Sequence, residues 1–357
     1  MLILFFFAFD PWRVLLPAGL SIILLASPWF AGRDTQSPYS LVESVLGLHM
    51  SQLALRLFVF TGFLGLVFPV LLASSDAGVS AGIGPMGWLE TLFYLVGVYC
   101  LWNVKCALAK GEKLGEQWTG GACFFFLLAA LLWILRWDDF VFGGVEAVEA
   151  TFSNWDWTRI LSKAIHLLLS AMAAGGLMVM VIGYLPWKPS LYTKMPFDVE
   201  EDNEERWRIQ IVRFGMAWVL IGVVPQVVVG SWLLVTLGED VRNHFLNGLT
   251  LGSLLFFSSL LVALLGLVLI NAAFIAPYVK GLVWGGGFSI LATLFLMGFI
   301  RYESIGAGLL SLNAGIHWPP LSFWHLIIGV LPMVGLMVVL INGLRTTLIS
   351  LNDKQTA

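Results

Sequence analysis

Charge is scarce in this sequence. Only 11% of the 357 residues are Asp, Glu, Lys or Arg, against 59% hydrophobic residues and a mean hydropathy of +0.89. A soluble globular domain of this size carries about a quarter charged residues, so that class is excluded. The net charge of −3 gives no reason to expect a nucleic-acid partner. Cysteine is scarce too. Cys100, Cys106 and Cys123 form no CxxC and no CxxCH, which excludes a zinc ribbon and c-type haem attachment and leaves buried reduced thiols. The amino-terminal stretch MLILFFFAFDPWRVLLPAGLSIILLAS lacks a basic start and a small-x-small cleavage site, so it is expected to be retained. No internal repeat stands out, which argues against a transporter built from inverted repeats.

Long apolar runs are what the sequence has instead. A run of roughly 20 apolar residues spans a bilayer as a helix. Nine such spans are expected, at 13–31, 45–74, 86–108, 118–136, 157–186, 209–237, 246–275, 281–300 and 321–343. The expected fold is therefore all-α, a single polytopic membrane bundle in a lipid bilayer with no soluble domain. Pro225 and Pro332 fall inside spans and are candidate kinks. Gly285 to Gly287 mark either a broken helix or a close helix contact.

Lys105, Lys110 and Lys113 lie in one loop, and Lys188, Lys194, Arg206, Arg208 and Arg213 in another. Lys280, Arg345 and Lys354 fall on the same side, while the loop with Asp138, Asp139, Glu146 and Glu149 falls opposite. The positive-inside rule then orients the chain with its N-terminus out and C-terminus in, as in a bacterial inner membrane.

Five histidines remain. His166, His244 and His325 enter the membrane from the outer side, His317 lies in an outer loop, and His49 stands near the inner end of the second span. His166 lies about three turns into its span. Ionisable groups at such depth are rare and usually functional. Small residues follow at helical spacing: Ser170, Ala173 and Ala174 after His166, Gly248 and Gly252 after His244, and Gly329 after His325. Small residues beneath an axial histidine would leave a groove for a flat macrocycle. They also let helices pack closely, which is the plainer reading. His166, His244, His325 and His49 are thus candidate haem ligands, and His317, in IHWPP, reads as a loop-packing residue. Met172, Met178, Met180, Met216, Met297, Met333 and Met337 are candidate second ligands whose default role is packing.

His49, Gln52 and Arg56 share one helical face. That face suits a second haem with its propionate, a quinone headgroup, or a hydrogen-bonded network against a neighbouring helix. Arg136, Arg159, Lys163, Arg242 and Arg301 lie near outer helix ends. Arg159 and Arg242 are close in sequence to candidate ligands and suit haem propionates, although snorkelling at the interface explains them equally.

The fifth span, RILSKAIHLLLSAMAAGGLMVMVIGYL, resembles the haem-b helix of subunit I of the cytochrome bd quinol oxidases. The next span, RFGMAWVLIGVVPQVVVGSW, is similar to that family's following helix, which also carries a Phe-Gly-Met stretch. Nine spans with the N-terminus outside is the topology this family has. The resemblance covers about residues 159–238 and implies that His166 binds a low-spin b haem near the outer face. The stretch LFLMGFIRYESIGAGLL resembles bacterial membrane proteins distantly related to that subunit and encoded beside multihaem cytochromes c. Several features of the oxidase are missing. The link after the sixth span is only GEDVRN, where the family has a long quinol-binding loop; no Gly-Arg-Gln-Pro-Trp signature is present; and Glu90 stands without a second intramembrane glutamate. Oxygen reduction is therefore not expected. What remains is a membrane cytochrome with one or two b haems. It would move electrons between quinone and a periplasmic or membrane redox subunit. The alternative is a non-redox scaffold or anchor in a larger complex.

Overall fold

The computed structural model describes residues 2–31, 54–55, 85–109, 116–142, 156–184, 201–248 and 250–311. Every regular element among these residues is an α-helix. In chain order they are α1 (Leu2–Ala31), α2 (Pro85–Ala109), α3 (Glu116–Phe142), α4 (Trp157–Tyr184), α5 (Glu201–Val223), α6 (Gln226–Thr236), α7 (Glu239–Leu246), α8 (Leu251–Ile275) and α9 (Lys280–Ser311). The expected spans 45–74 and 321–343 lie outside the described residues, apart from Ala54 and Leu55. Five stretches of the described residues are long and apolar enough to cross a membrane: Gln117–Leu135, Trp157–Tyr184, Arg208–Thr236, Leu251–Ile275 and Lys280–Ser304. The protein is an all-helical, multi-pass membrane protein suited to a lipid bilayer.

The helix α4 is the centre of the bundle. In its apolar window 61% of residues are buried, against 28% for α8, which lies at the rim of the described bundle. Asp156 caps its start, with Oδ1 accepting from the backbone N–H of Thr158 at 3.1 Å and of Arg159 at 3.2 Å. The reason α4 can be central is its run of small residues. Apolar surface is no driving force between helices already in lipid, so close backbone approach and van der Waals contact hold them together. Gly176 faces Gly215 and Val219 of α5, Gly183 faces Val212, and Gly222 faces Leu169 and Ala173. These pairings fix α4 and α5 as antiparallel. On another face, Gly19 of α1 meets Ala171 and Gly175 backbone to backbone. The α2–α3 and α8–α9 pairs are antiparallel as well, through Gly97 on Phe126 and Gly121 on Cys100, and through Gly266 on Ile290 and Gly286 on Ile270.

Several expected boundaries shift for identifiable reasons. The sixth span is two helices, because Pro225 has no N–H to continue the ladder and the chain turns at Val224 and Pro225. The seventh span begins at Leu251, not 246. Thr250 caps it by accepting from Ser253 N–H at 3.1 Å, and Gly248 adopts φ +90°, a left-handed conformation that favours glycine. Gly285 to Gly287 do not break α9; Gly286 sits against the backbone of Ile270, so close helix contact is their role. Cys100, Cys106 and Cys123 are free thiols, the first and last buried.

Candidate functional site

The antiparallel order brings several polar side chains to one end of the bundle, where α4 begins and α6 and α9 finish. Ser162 and Thr236 lie 3.3 Å apart across α4 and α6. One turn deeper, the His166 imidazole faces α6, with Cε1 4.0 Å from where a Cβ of Gly230 would stand. Its Nδ1 is buried and has no hydrogen-bond partner among the described residues. The next turn is polar but satisfied. Ser170 donates to the His166 carbonyl at 2.8 Å and accepts from Gln226 Nε2 at 2.8 Å. Gln226 thereby ties the start of α6, just after the proline break, back to α4.

The small residues beneath His166 have a definite use. Ala173 is fully buried and lies against Gly222, where a Cβ would stand 2.6 Å from Ala173 N. Ala174 is buried on the α1 side with Ala171. The face that looks like a groove in the sequence is filled by α5 and α1, and close helix packing accounts for it. On the α6 side His166 meets Gly230, which offers no side chain.

His244 is not at the head of a long helix. It lies in the last turn of the short α7, and the chain breaks before α8, so Gly248 and Gly252 do not stack beneath it at helical spacing. Gly252 still matters, because a Cβ there would lie 2.6 Å from His244 Nε2. The imidazole occupies that space and meets Glu303 of α9, with Nε2 to Oε2 at 3.0 Å. Thr250 and Ser253 donate to the His244 carbonyl at 2.9 and 3.2 Å and close the α7–α8 junction. A carboxylate on one ring nitrogen fixes the tautomer, so Nδ1 is the nitrogen His244 could offer a metal. Two residues before Glu303, the Arg301 guanidinium lies 3.8 Å over the Trp133 ring of α3, a cation–π contact.

Glu303 was missed by sequence reasoning, and so was the pairing of Glu90, noted there as a lone intramembrane glutamate, with Arg13. Arg13 of α1 donates to Glu90 of α2, and both are buried. Beside them Tyr94 donates to the Ala54 carbonyl at 2.9 Å. The available signal was a charged residue inside an apolar helix, which in a membrane needs an internal partner. Arg159 and Arg242 lie in the first turn of α4 and in α7, at the same end of the bundle as His166 and His244. His49, Gln52, Arg56, His317 and His325 lie outside the described residues. No group of three or more His, Cys, Asp or Glu side chains capable of holding a metal ion occurs among the described residues.

A haem requires an axial nitrogen and a flat space beside it. His166 meets the first requirement. A buried polar atom without a partner costs about 1–3 kcal/mol, which a hydrogen bond or a metal at that nitrogen would remove. The packed Ala173 face does not meet the second, so a macrocycle would have to stand on the α6 side. No protein-family model matches the chain, and no curated protein matches it in sequence.

Proposed function

We propose that the chain is a b-type membrane cytochrome that moves electrons between the quinone pool and a periplasmic or membrane redox subunit, such as a multihaem cytochrome c. The observation that carries this reading is the buried Nδ1 of His166, which has no hydrogen-bond partner among the described residues, on a ring whose Cε1 approaches Gly230 of α6. His166 is the proposed axial ligand of one b haem. His325, His49 or, through its Nδ1, His244 would supply the opposite ligand or hold a second haem. Arg159 and Arg242 would pair with propionates. Gln52 and Arg56 would serve a propionate or a quinone headgroup. When bound, the haem supplies one-electron redox chemistry, and the protein supplies ligands, a low dielectric and potential tuning. The same reading takes nine crossings with the N-terminus outside and the C-terminus inside a bacterial inner membrane. It stops at electron transfer and does not extend to oxygen reduction.

A second reading rests on a specific observation. Ala171, Ala173, Gly175 and Gly176 are fully used in helix packing, which a non-redox scaffold or anchor subunit also needs. The two readings differ in one experiment. Quinol added to the oxidised, purified protein should bring up the absorption bands of a reduced low-spin b haem. A spectrum without haem bands, in protein expressed with ample haem, would leave the scaffold.

A further inference from the structure

At the opposite end of the bundle, where α4 ends and α9 begins, a cleft of about 100 Å³ lies between α1, α4 and α9. Leu16, Leu177, Met180, Trp284 and Phe288 form much of its wall. The space is several times what one water needs, but the wall gives water almost nothing to bond. Tyr184 lines the cleft, and its hydroxyl donates to the Pro277 carbonyl at 3.4 Å. Phe288 is 61% exposed and Trp284 39%, so the cleft opens sideways, toward what would be lipid. Trp284 stacks on Phe288 with centroids 5.7 Å apart and meets Tyr184 at 5.3 Å. Such amphipathic rings belong at the depth of lipid headgroups.

Two cations frame the polar end. Lys280 is exposed and lies one helical turn before Trp284 on the same face of α9. Arg208 of α5 donates to the carbonyls of Gly183 and Tyr184, at 3.3 Å each, and so stands at the Tyr184 end of the wall. The acidic first turn of α5 precedes Arg208 in sequence, so the exposed Lys280 carries most of the attraction for an anion. An apolar slot ending in two cations matches one amphiphile class. We propose that this cleft binds an anionic phospholipid, with an acyl chain along Leu177, Met180 and Phe288 and the phosphate at Lys280 and Arg208. A quinone would fill the slot as well, but its neutral headgroup has no use for the cations. The inference does not depend on the chain carrying a haem.

The test is native mass spectrometry of the delipidated full-length protein, titrated with phosphatidylglycerol and with phosphatidylcholine of the same chains. The wild type should retain one phosphatidylglycerol in preference to phosphatidylcholine. Lys280→Gln, an exposed change that leaves the fold alone, should weaken phosphatidylglycerol about fivefold and phosphatidylcholine little. Gly287→Phe should abolish retention of both, because a Cβ there meets Leu177 and Met180 only at 3.8 Å and the ring would occupy the slot. Equal retention of both lipids by the wild type would overturn the proposal. So would unchanged phosphatidylglycerol binding in both variants, or a tightly held molecule that proves to be a quinone.

Discussion

Replacing Gly176 by alanine puts one methyl group into the seam between α4 and α5. The new Cβ would lie 2.6 Å from the Gly215 carbonyl oxygen, 2.8 Å from Val219 N and 3.0 Å from the Trp218 Cβ. The first two are backbone atoms, so no side-chain rotation relieves the clash, and the helices must part by most of an ångström. That movement would also loosen Gly183 on Val212 and Gly222 on Ala173, which lie in the same seam. Overpacking of this kind costs about 1–3 kcal/mol. Against it stands the gain of about 1 kcal/mol from replacing glycine by alanine within a helix. The net expectation is a loss of roughly 1–2 kcal/mol. Gly120→Ala is the control, because a Cβ there meets nothing within 4 Å and only the gain applies. Unfolding of the two variants in detergent, by heat or by titrated denaturing detergent, should move in opposite directions from the wild type. A Gly176→Ala protein as stable as wild type would refute the claim that the small face of α4 is a packing seam, and would reopen it as a cofactor groove.

Glu90→Gln breaks the buried pair with Arg13 and should cost about 3–5 kcal/mol, while replacing both residues by methionine should recover most of that, read by thermal unfolding. Glu303→Gln should leave the protein folded, with a loss of about 1 kcal/mol or less because His244 is partly solvent-exposed. Its visible spectrum separates the candidate ligands: one that matches the wild type leaves His325 or His49 opposite His166, and loss of haem absorbance makes His244 a ligand oriented by Glu303. Trp133→Leu removes the ring beneath Arg301 and should cost about 1–2 kcal/mol in the same unfolding assay.

The helical class and its membrane character were legible because hydropathy over a 20-residue window is a strong, local signal. The break at Pro225 was legible for the same kind of reason, as a missing backbone donor. The α7–α8 break was not. HFLNGLTLGS reads as the edge of an apolar run, and only the left-handed Gly248 and the Thr250 cap turn it into a boundary. The stripe of small residues below His166 was visible, but its meaning was not, since a groove and a seam demand the same side chains. Which it is depends on whether another backbone arrives there, and Gly222 supplies one. Glu303 was missed because its partner is 59 residues away and sits on a helix the sequence merged with its neighbour. Glu90 was noted as a lone intramembrane carboxylate, but its pairing with Arg13 was missed because the two lie 77 residues apart.

The central claim is that His166 holds iron, and a pyridine haemochrome spectrum of the purified protein beside His166→Ala tests it most directly. The account predicts a b-type signal in the wild type and a clear loss in the variant, with both proteins unfolding at similar temperature. A wild type without haem, or a signal of equal size in the variant, would contradict it.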